Sequence, residues 1–171
     1  MFREMWLIVD GYNVIRQWPE LAMLDRTELQ AGREALLAEL RGYRRAKGHR
    51  ITVVFDGREE GGFSEGVEQA SGIAVRYSKR GETADAVIAR LSAEAGEGAV
   101  VISSDHEVLA AARRNGSGCL PANEFIARLE ASRIATVKGG EEDERRVKSG
   151  KGVARRLPKA VRRNERKLKG L

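Results

Sequence analysis

Four aspartates stand where chemistry is expected in this sequence. Asp10 and Asp56 each follow an apolar run and precede a glycine, Asp105 closely follows a third run, and Asp85 lies at a predicted helix start. Because ligands of open α/β sheets bind at the carboxyl ends of the strands, we expect the four carboxylates on one rim. Each alone has a structural explanation, since Asp-Gly is a common turn pair and Asp caps helices. Together they favour a functional site.

Clustered carboxylates predict a divalent-cation site. Like charges held close together raise one another's pKa or need a cation, and hard oxygen ligands select Mg²⁺ or Mn²⁺. Such a cation can bind a phosphate oxygen, lower the pKa of a water and stabilise the leaving oxygen in phosphodiester hydrolysis. Rival groups are few, since Cys119 lies in a predicted strand, His49 is expected to be solvated and His106 to be a surface residue. The predicted reaction is phosphodiester cleavage.

Several polar residues near these aspartates are candidates for contacting substrate. Asn13 is a candidate for ordering a water or a substrate phosphate, or else is a loop-forming residue. Ser103 and Ser104 precede a predicted helix, where backbone N–H groups favour anions; helix capping is the alternative for Ser104. Lys79 and Arg80, in the polar turn KRGET, are further candidates for binding substrate.

The elements that would position these residues alternate between strands and helices. Apolar runs predict strands over residues 5–9, 51–55, 73–78, 99–103 and 118–120. Helical spacing predicts helices over 25–47, from about 84 through Leu91, from Asp105 to Gly116, and over 121–129, with Asp25 and Glu28 capping the first. The Gly- and Glu-rich stretch 57–72 is expected to be an exposed loop. This order predicts an α/β fold with a mostly parallel sheet covered on both faces.

Length and composition are consistent with one α/β domain plus an appendage. The chain has 171 residues, 42% of them hydrophobic and 33% charged. Cys119 is the only cysteine, which excludes an intrachain disulfide and a thiolate metal site and fits a reducing compartment. The N-terminal segment lacks the apolar length of a signal peptide, and no stretch reaches the roughly 18 apolar residues of a membrane span. We therefore expect a cytoplasmic protein.

Positive charge is concentrated in the tail. Residues 1–137 hold 18 Lys and Arg against 20 Asp and Glu, a net charge of −2, whereas residues 138–171 hold 13 against 5, a net charge of +8. Residues 138–152 are expected to form a linker, and the following stretch a short basic helix that folds on a partner. A segregated basic tail indicates a polyanionic partner, most often nucleic acid, although a solubilising terminus is the alternative. Its candidate substrate-binding residues are Arg155, Arg156, Arg162 and Arg163.

Four segments resemble a known family. IVDGYNVI at 8–15, VVFDG at 53–57, SKRGETADAVI at 78–88 and VISSDHEV at 101–108 are similar, in order and spacing, to the YacP-like branch of the NYN domains in the PIN-like nuclease superfamily. The resemblance covers about residues 6–130. It implies a Rossmann-like three-layer α/β/α domain, over residues 1–133, that cleaves RNA endonucleolytically with Mg²⁺ or Mn²⁺. Residues 134–171 would be a charged linker and basic tail.

The resemblance also implies roles for individual residues. Asp10, Asp85 and Asp105 would be metal ligands, Asn13 belongs to the signature, and Asp56 would be a further acidic residue of the rim. Glu82 would be a substitute ligand or would support one. The best-understood relatives act on messenger RNA on translating ribosomes, so the ribosome is a candidate partner, although the basic tail departs from the family core.

Two alternatives remain open from the sequence. The chain is an RNA-binding or ribosome-associated module without catalysis that uses its basic tail, or it hydrolyses a small phosphoester. The second is less attractive because the sequence has no P-loop and no dinucleotide-binding glycine pattern. The sequence does not indicate an oligomeric state.

Overall fold

The computed structural model describes residues 3–57, 67–70, 72–138 and 159–171, which contain a six-stranded sheet. The strands are β1 Trp6–Asp10, β2 Arg50–Phe55, β3 Val67–Ala70, β4 Ile73–Tyr77, β5 Ala99–Ile102 and β6 Gly118–Leu120. Their order is β3-β4-β2-β1-β5-β6. Five strands are parallel, and β3 pairs antiparallel with β4. The prediction of a loop over 57–72 is therefore wrong for Val67–Ala70.

Helices cover both faces of the sheet. They are α1 Gly11–Gln17, α2 Pro19–Thr27, α3 Leu29–Lys47, α4 Ala84–Ala95, α5 His106–Arg114, α6 Ala122–Lys138 and α7 Lys159–Leu168. Side chains of β1 alternate between two cores: Leu7 and Val9 pack with residues of α1, α3 and α6, whereas Trp6 and Ile8 pack with residues of α4 and α5. The predicted three-layer α/β/α architecture is confirmed. None of the described helices is long and apolar enough to cross a membrane.

The predicted helical segment 25–47 spans the end of α2 and all of α3, so the prediction of one capped helix from Asp25 is wrong at its start. Pro19 begins α2, where its fixed φ suits the first helical turn. Asp25 lies inside α2, and the extended backbone of Glu28, with a φ of −153°, separates α2 from α3. The predicted end is confirmed, because Gly48 adopts a left-handed φ of 75° as the C-cap of α3.

His49 is not solvated as predicted but is 1% exposed. Its Nδ1 accepts a hydrogen bond from the Met5 backbone N–H at 3.3 Å, and its Nε2 bonds to the Gly170 carbonyl. The imidazole therefore joins the segments before β1 and β2 to the segment after α7. Its position in the chain, between Gly48 and a strand, carries no local signal of that contact.

The basic segment at the end of the described chain folds against the domain. The Asn164 side-chain amide accepts a hydrogen bond from Cys119 N at 2.9 Å and donates one to Cys119 O at 3.3 Å. These two backbone groups lie on the open edge of β6, so Asn164 pairs them as a neighbouring strand would. Leu168 and Leu171 pack against the core beside α3 and α6. The expectation that this segment folds only on a partner is wrong for residues 159–171, whereas the predicted linker lies largely outside the described residues.

Replacing Asn164 with alanine is expected to reduce the free energy of unfolding by about 1 to 3 kcal/mol, because two partly buried backbone groups lose their partner. Urea unfolding of the Asn164→Ala variant measures the change. Arg166→Ala is the matched control, since Arg166 is exposed on the same helix. Equal stability of the two variants would contradict the edge-pairing role of Asn164.

Candidate active site

Asp10, the last residue of β1, is a buried carboxylate at the carboxyl edge of the sheet, with 8% of its surface exposed. Its Oδ2 accepts a hydrogen bond of 2.8 Å from the Ser103 hydroxyl, which follows the neighbouring strand β5. The Ser103 Oγ also accepts a 3.1 Å hydrogen bond from the Asp105 backbone N–H. Ser103 therefore fixes the position of the Asp10 carboxylate relative to the turn that carries Asp105.

Gly11 allows the chain to pass directly from β1 into α1. A Cβ at this position would lie 2.3 Å from the ring of Phe55, at the end of the neighbouring strand β2. The tight turn carries Asn13 beside the β5 edge, where its Oδ1 accepts a 2.8 Å hydrogen bond from the Ser104 backbone N–H. Both hydrogen bonds thus run from donors after β5 to acceptors at the end of β1 and the start of α1, and together they connect these two strand ends.

Asp105 is exposed and caps α5. Its Oδ1 accepts hydrogen bonds from the backbone N–H groups of Glu107 at 2.8 Å and Val108 at 3.2 Å. The capping function that the sequence offered as the structural alternative is therefore present. It engages Oδ1 in both hydrogen bonds, so capping and a role of Oδ2 in the site are compatible.

Asp85 lies in the first turn of α4, whose cap is the Thr83 side chain. Burial raises the pKa of Asp85, and the carboxylates of Asp105, Glu107 and Asp56 raise it further. These influences show that α4 brings Asp85 to the same edge as the turns after β2 and β5. Glu107 was missed by the sequence reasoning, although its place two residues after Asp105 is a usable signal.

The pKa of Asp10 is raised from 3.8 to about 6, and burial is the largest cause. The Ser103 hydrogen bond lowers this pKa, whereas the carboxylates of Asp85 and Asp105 raise it. Negative charge is therefore concentrated around a carboxylate with little access to water. Asp85 and Asp105 lie near enough to Asp10 to act on its charge, and all three are at the carboxyl edge of the sheet.

Asp56 is half-buried and belongs to a tightly packed turn. The Ser78 hydroxyl donates to Asp56 Oδ1 at 3.3 Å and accepts from the Gly57 N–H at 3.0 Å. A Cβ on Gly57 would lie 2.1 Å from the Ser78 carbonyl oxygen, so glycine is required here. Asp56 both shapes this turn and adds negative charge near Asp85. Ser78, the residue after β4, was also missed from the sequence.

Other predicted residues lie in different surroundings. Ser103 is fully buried and its hydroxyl donates to Asp10, so the structure places it as a positioning residue for Asp10 and not at the surface where a substrate phosphate was expected to bind. The Ser104 hydroxyl accepts from the Ala122 N–H at 3.2 Å, at the start of α6 rather than α5. Glu82 forms an ion pair with Arg90, and its Oε2 is buried without a hydrogen-bond partner. His106 is exposed in the first turn of α5, as expected.

The predicted basic residues divide between two edges. Lys79 and Arg80 are exposed in the turn between β4 and α4, on the carboxyl edge. Arg163 forms an ion pair with Glu97, whose turn Gly96–Gly98 precedes β5 at the opposite edge. The structure therefore does not bring Arg163 to the carboxylates. Arg155, Arg156 and the Arg162 side chain lie outside the described residues.

The donor set fits Mg²⁺ or Mn²⁺ by its chemistry, although it is not a finished coordination site. Among the described residues, no three His, Cys, Asp or Glu side chains are already arranged around one point. The carboxylates of Asp85 and Asp105 nevertheless lie close enough to Asp10 to raise its pKa, and Asp105 also raises the pKa of Asp85. All the donors are hard carboxylate oxygens. A divalent cation would replace this repulsion with attraction and draw the carboxylates together.

Comparison with known proteins gives matches to the YacP-like NYN family. The sequence model of the YacP-like NYN domain matches residues 7–169. The uncharacterized protein YacP of Bacillus subtilis strain 168 is 35% identical over 86 residues, which is 50% of each chain. The match thus spans about half the length of this curated relative.

Two crystal structures of Rae1 (YacP) from Bacillus subtilis share the fold. One, of a variant with a single tryptophan replaced by leucine, is 26% identical with a TM-score of 0.69, over 78% of this chain and 80% of that one. The second structure is 25% identical with a TM-score of 0.64, over 81% of this chain and 84% of that one.

Proposed function

The chain belongs to the YacP-like NYN domain family, which is related to PIN-like nucleases, and from this premise we propose that it is a divalent-metal-dependent endoribonuclease. Its substrate would be RNA, cleaved by hydrolysis of phosphodiester bonds at the carboxyl edge of the sheet. One observation carries the proposal. A buried carboxylate, Asp10, lies next to Asp85 and Asp105 and has its pKa raised to about 6.

This arrangement has a cost that a structural role does not explain. An ionised carboxylate in a poorly hydrated place next to two others destabilises the fold at neutral pH. Perturbed groups of this kind concentrate at functional sites. A purely structural turn would be served by an uncharged residue such as Asn, which accepts the same Ser103 hydrogen bond.

Asp10, Asp85 and Asp105 would hold the cation, and Asp56 would add negative charge beside them. When bound, Mg²⁺ or Mn²⁺ supplies Lewis-acid activation of water and of the scissile phosphate. The chain's own residues orient the ligands: Ser103 holds Asp10, and the backbone N–H groups of Glu107 and Val108 hold Asp105.

Substrate phosphates would approach over the exposed turn between β4 and α4. Lys79 and Arg80 are exposed there, at the edge that carries the carboxylates. Their positive charge would attract the RNA backbone to a site that is otherwise negative. The Ser104 N–H fixes the side-chain oxygen of Asn13 beside the turn after β5. The side-chain NH₂ group of Asn13 would then donate to a phosphate or a water.

Cleavage of a structured RNA in Mn²⁺ or Mg²⁺ tests the proposal. The Asp85→Asn variant is expected to lose at least about 100-fold in rate, the upper range for disturbing groups that only support a metal ligand. Glu94→Gln is the matched control, because Glu94 is an exposed carboxylate on the same helix. Equal cleavage by the two variants, or none by the wild type, would refute the proposal.

Ser103→Ala is expected to lower the cleavage rate about 10- to 100-fold and to move the acid limb of the pH–rate profile to higher pH. The Ser103 hydrogen bond lowers the pKa of Asp10, so without it the carboxylate ionises at a pH above about 6. Rates measured from pH 5 to 8 check the shift.

The matched control for that prediction is Ser104→Ala. This variant removes the Ser104 hydroxyl, which accepts the hydrogen bond from the Ala122 N–H, and is expected to lower the free energy of unfolding by about 1 kcal/mol. The acid limb should stay in place, because Ser104 does not donate to Asp10. Similar pH profiles for both variants would contradict the positioning role of Ser103.

Messenger RNA on translating ribosomes is the substrate we propose to test first, from the family resemblance. A second candidate function, RNA binding without catalysis, is favoured by the basic helix α7. RNA association without cleavage under all metal conditions would select this second function. The two functions are separable because α7 and the carboxylates lie at opposite edges of the sheet.

A further inference from the structure

The outward face of α7 forms a basic surface at the amino-terminal edge of the sheet. Asn164, Lys167 and Leu168 contact the domain at a spacing of three and one residues, so they share one face of the helix, and Leu171 packs against the core after the helix ends. Arg166 and Lys169 are exposed on the remaining surface. Residues 159–171 hold six Lys and Arg against one acidic residue.

The fold adds further cations to this surface. Arg3 and Arg163 both lower the pKa of Lys167, after its burial, so the three side chains lie near one another. Lys167 Nζ is anchored on the Gly116 carbonyl at 2.6 Å, before β6 begins. We define the α7 surface as Arg3, Arg163, Arg166 and Lys169, with the docking residue Lys167 at its border.

Helix-dipole stabilisation explains only part of this charge, because Arg166 and Lys167 lie in the last turn of α7 but Arg3 and Arg163 do not. Basic residues in the last turns of α3 and α5, such as Arg44, Arg45 and Arg113, offset the negative ends of those helices. The basic residues of α7 extend over the whole helix, and Arg163 lies in its first half. The Glu97 carboxylate offsets only Arg163 by an ion pair. The other basic residues of this surface repel one another, and a bound polyanion would relieve that repulsion.

We propose that the α7 surface binds the RNA sugar-phosphate backbone as a second contact, away from the carboxylates. The carboxylates follow the carboxyl ends of β1 and β5, whereas the α7 surface adjoins the start of β6. The four residues of β5 alone separate the two edges by about 13 Å. The α7 surface therefore contributes affinity without touching the scissile phosphate, and only RNA long enough to reach both edges uses it. The RNA partner rests on the proposed function.

Salt-dependent binding of single-stranded RNA, measured in EDTA so that no cleavage occurs, tests this surface. The variant is Arg166→Gln with Lys169→Gln, which leaves the docking contacts of Asn164 and Lys167 intact. Two lost phosphate contacts are expected to flatten the plot of log affinity against log salt by about 1.4 and to weaken binding about tenfold at 0.15 M salt. The control, Arg26→Gln with Arg41→Gln, removes the same charge elsewhere and should bind as the wild type does.

Catalysis gives a second readout that separates this inference from the proposed function. With long RNA in Mn²⁺, the α7 variant is expected to raise KM about tenfold at unchanged kcat. With a dinucleotide, which cannot span both edges, it should match the wild type. Equal salt slopes and affinities for the α7 and control variants would overturn the inference, whatever the outcome of the cleavage assays. Failure of the Asp85→Asn test with an intact α7 effect would overturn only the proposed endonuclease.

Discussion

The Asp10→Asn variant is expected to lose RNA cleavage and to be more stable than the wild type at neutral pH. The loss of cleavage should be at least about 100-fold, because the variant removes a proposed ligand and not merely a group that supports one. The gain in stability follows from the pKa of Asp10, which is about 6 in the fold against 3.8 for an ordinary aspartate. A single carboxylate thus links activity to a loss of stability.

The sign of the pH effect follows from linkage. Because the fold raises the pKa of Asp10, the folded state binds more protons than the unfolded state between pH 4 and 6. The contribution of protonated Asp10 to the free energy of unfolding is therefore fully present below pH 4. It is lost as the pH rises through about 6. A shift of about two pKa units corresponds to about 3 kcal/mol, which is the upper size of the effect.

Urea unfolding of the wild type and Asp10→Asn at pH 4 and pH 7.5, in EDTA, measures this difference. The variant should gain about 2 to 3 kcal/mol relative to the wild type between the two pH values. Glu94→Gln, which removes an exposed carboxylate, should follow the wild type. An Asp10→Asn protein that still cleaves RNA, or whose pH dependence equals that of the wild type, contradicts the assignment.

Chelation is expected to abolish cleavage, and Mn²⁺ or Mg²⁺ to restore it and stabilise the folded protein. A cation that binds only the folded state stabilises it by about 2.7 kcal/mol at a concentration of 100 times its dissociation constant. It should also remove the penalty of ionised Asp10, so the wild type should lose less stability between pH 4 and 7.5 when metal is present. Thermal unfolding with and without Mn²⁺ measures both effects.

The control for metal binding is the double variant Asp10→Asn with Asp85→Asn. It should show no stabilisation by Mn²⁺ in the range where the wild type does, whereas Glu94→Gln should respond fully. Calorimetric titration of each protein provides an independent measure of binding. Equal stabilisation of the wild type and the double variant would place the cation elsewhere, and none for either would exclude it.

Local patterns sufficed to locate the five parallel strands and three of the four aspartates. The β-branched runs before Asp10, Asp56 and Asp105 are strands because they are buried on both faces of a parallel sheet. Once the strands are parallel, their carboxyl ends meet at one edge, so the grouping of these aspartates follows from topology. Asp85 required one more step, since a helix and not a strand positions it.

Contacts between distant residues had no such local signal. Ser103 donates to Asp10, which lies 93 residues earlier in the chain, whereas the hydroxyl of the adjacent Ser104 accepts from the first residue of α6. The two serines therefore have similar sequence contexts but different roles. The short strand β3 is stabilised by pairing with β4, not by an apolar pattern of its own. Sequence spacing could not assign these partners because it reports periodicity along the chain only.

The sequence by itself therefore determined the α/β class, the carboxylate edge and the unequal distribution of charge. Only the tertiary structure decided that Asp10 is buried, that Asn164 closes the edge of β6, and that α7 holds its charge opposite the aspartates. The physical reason is the range of the interactions. Strand and helix propensities act over a few residues, whereas burial, pKa and docking depend on side chains that only the folded chain brings together.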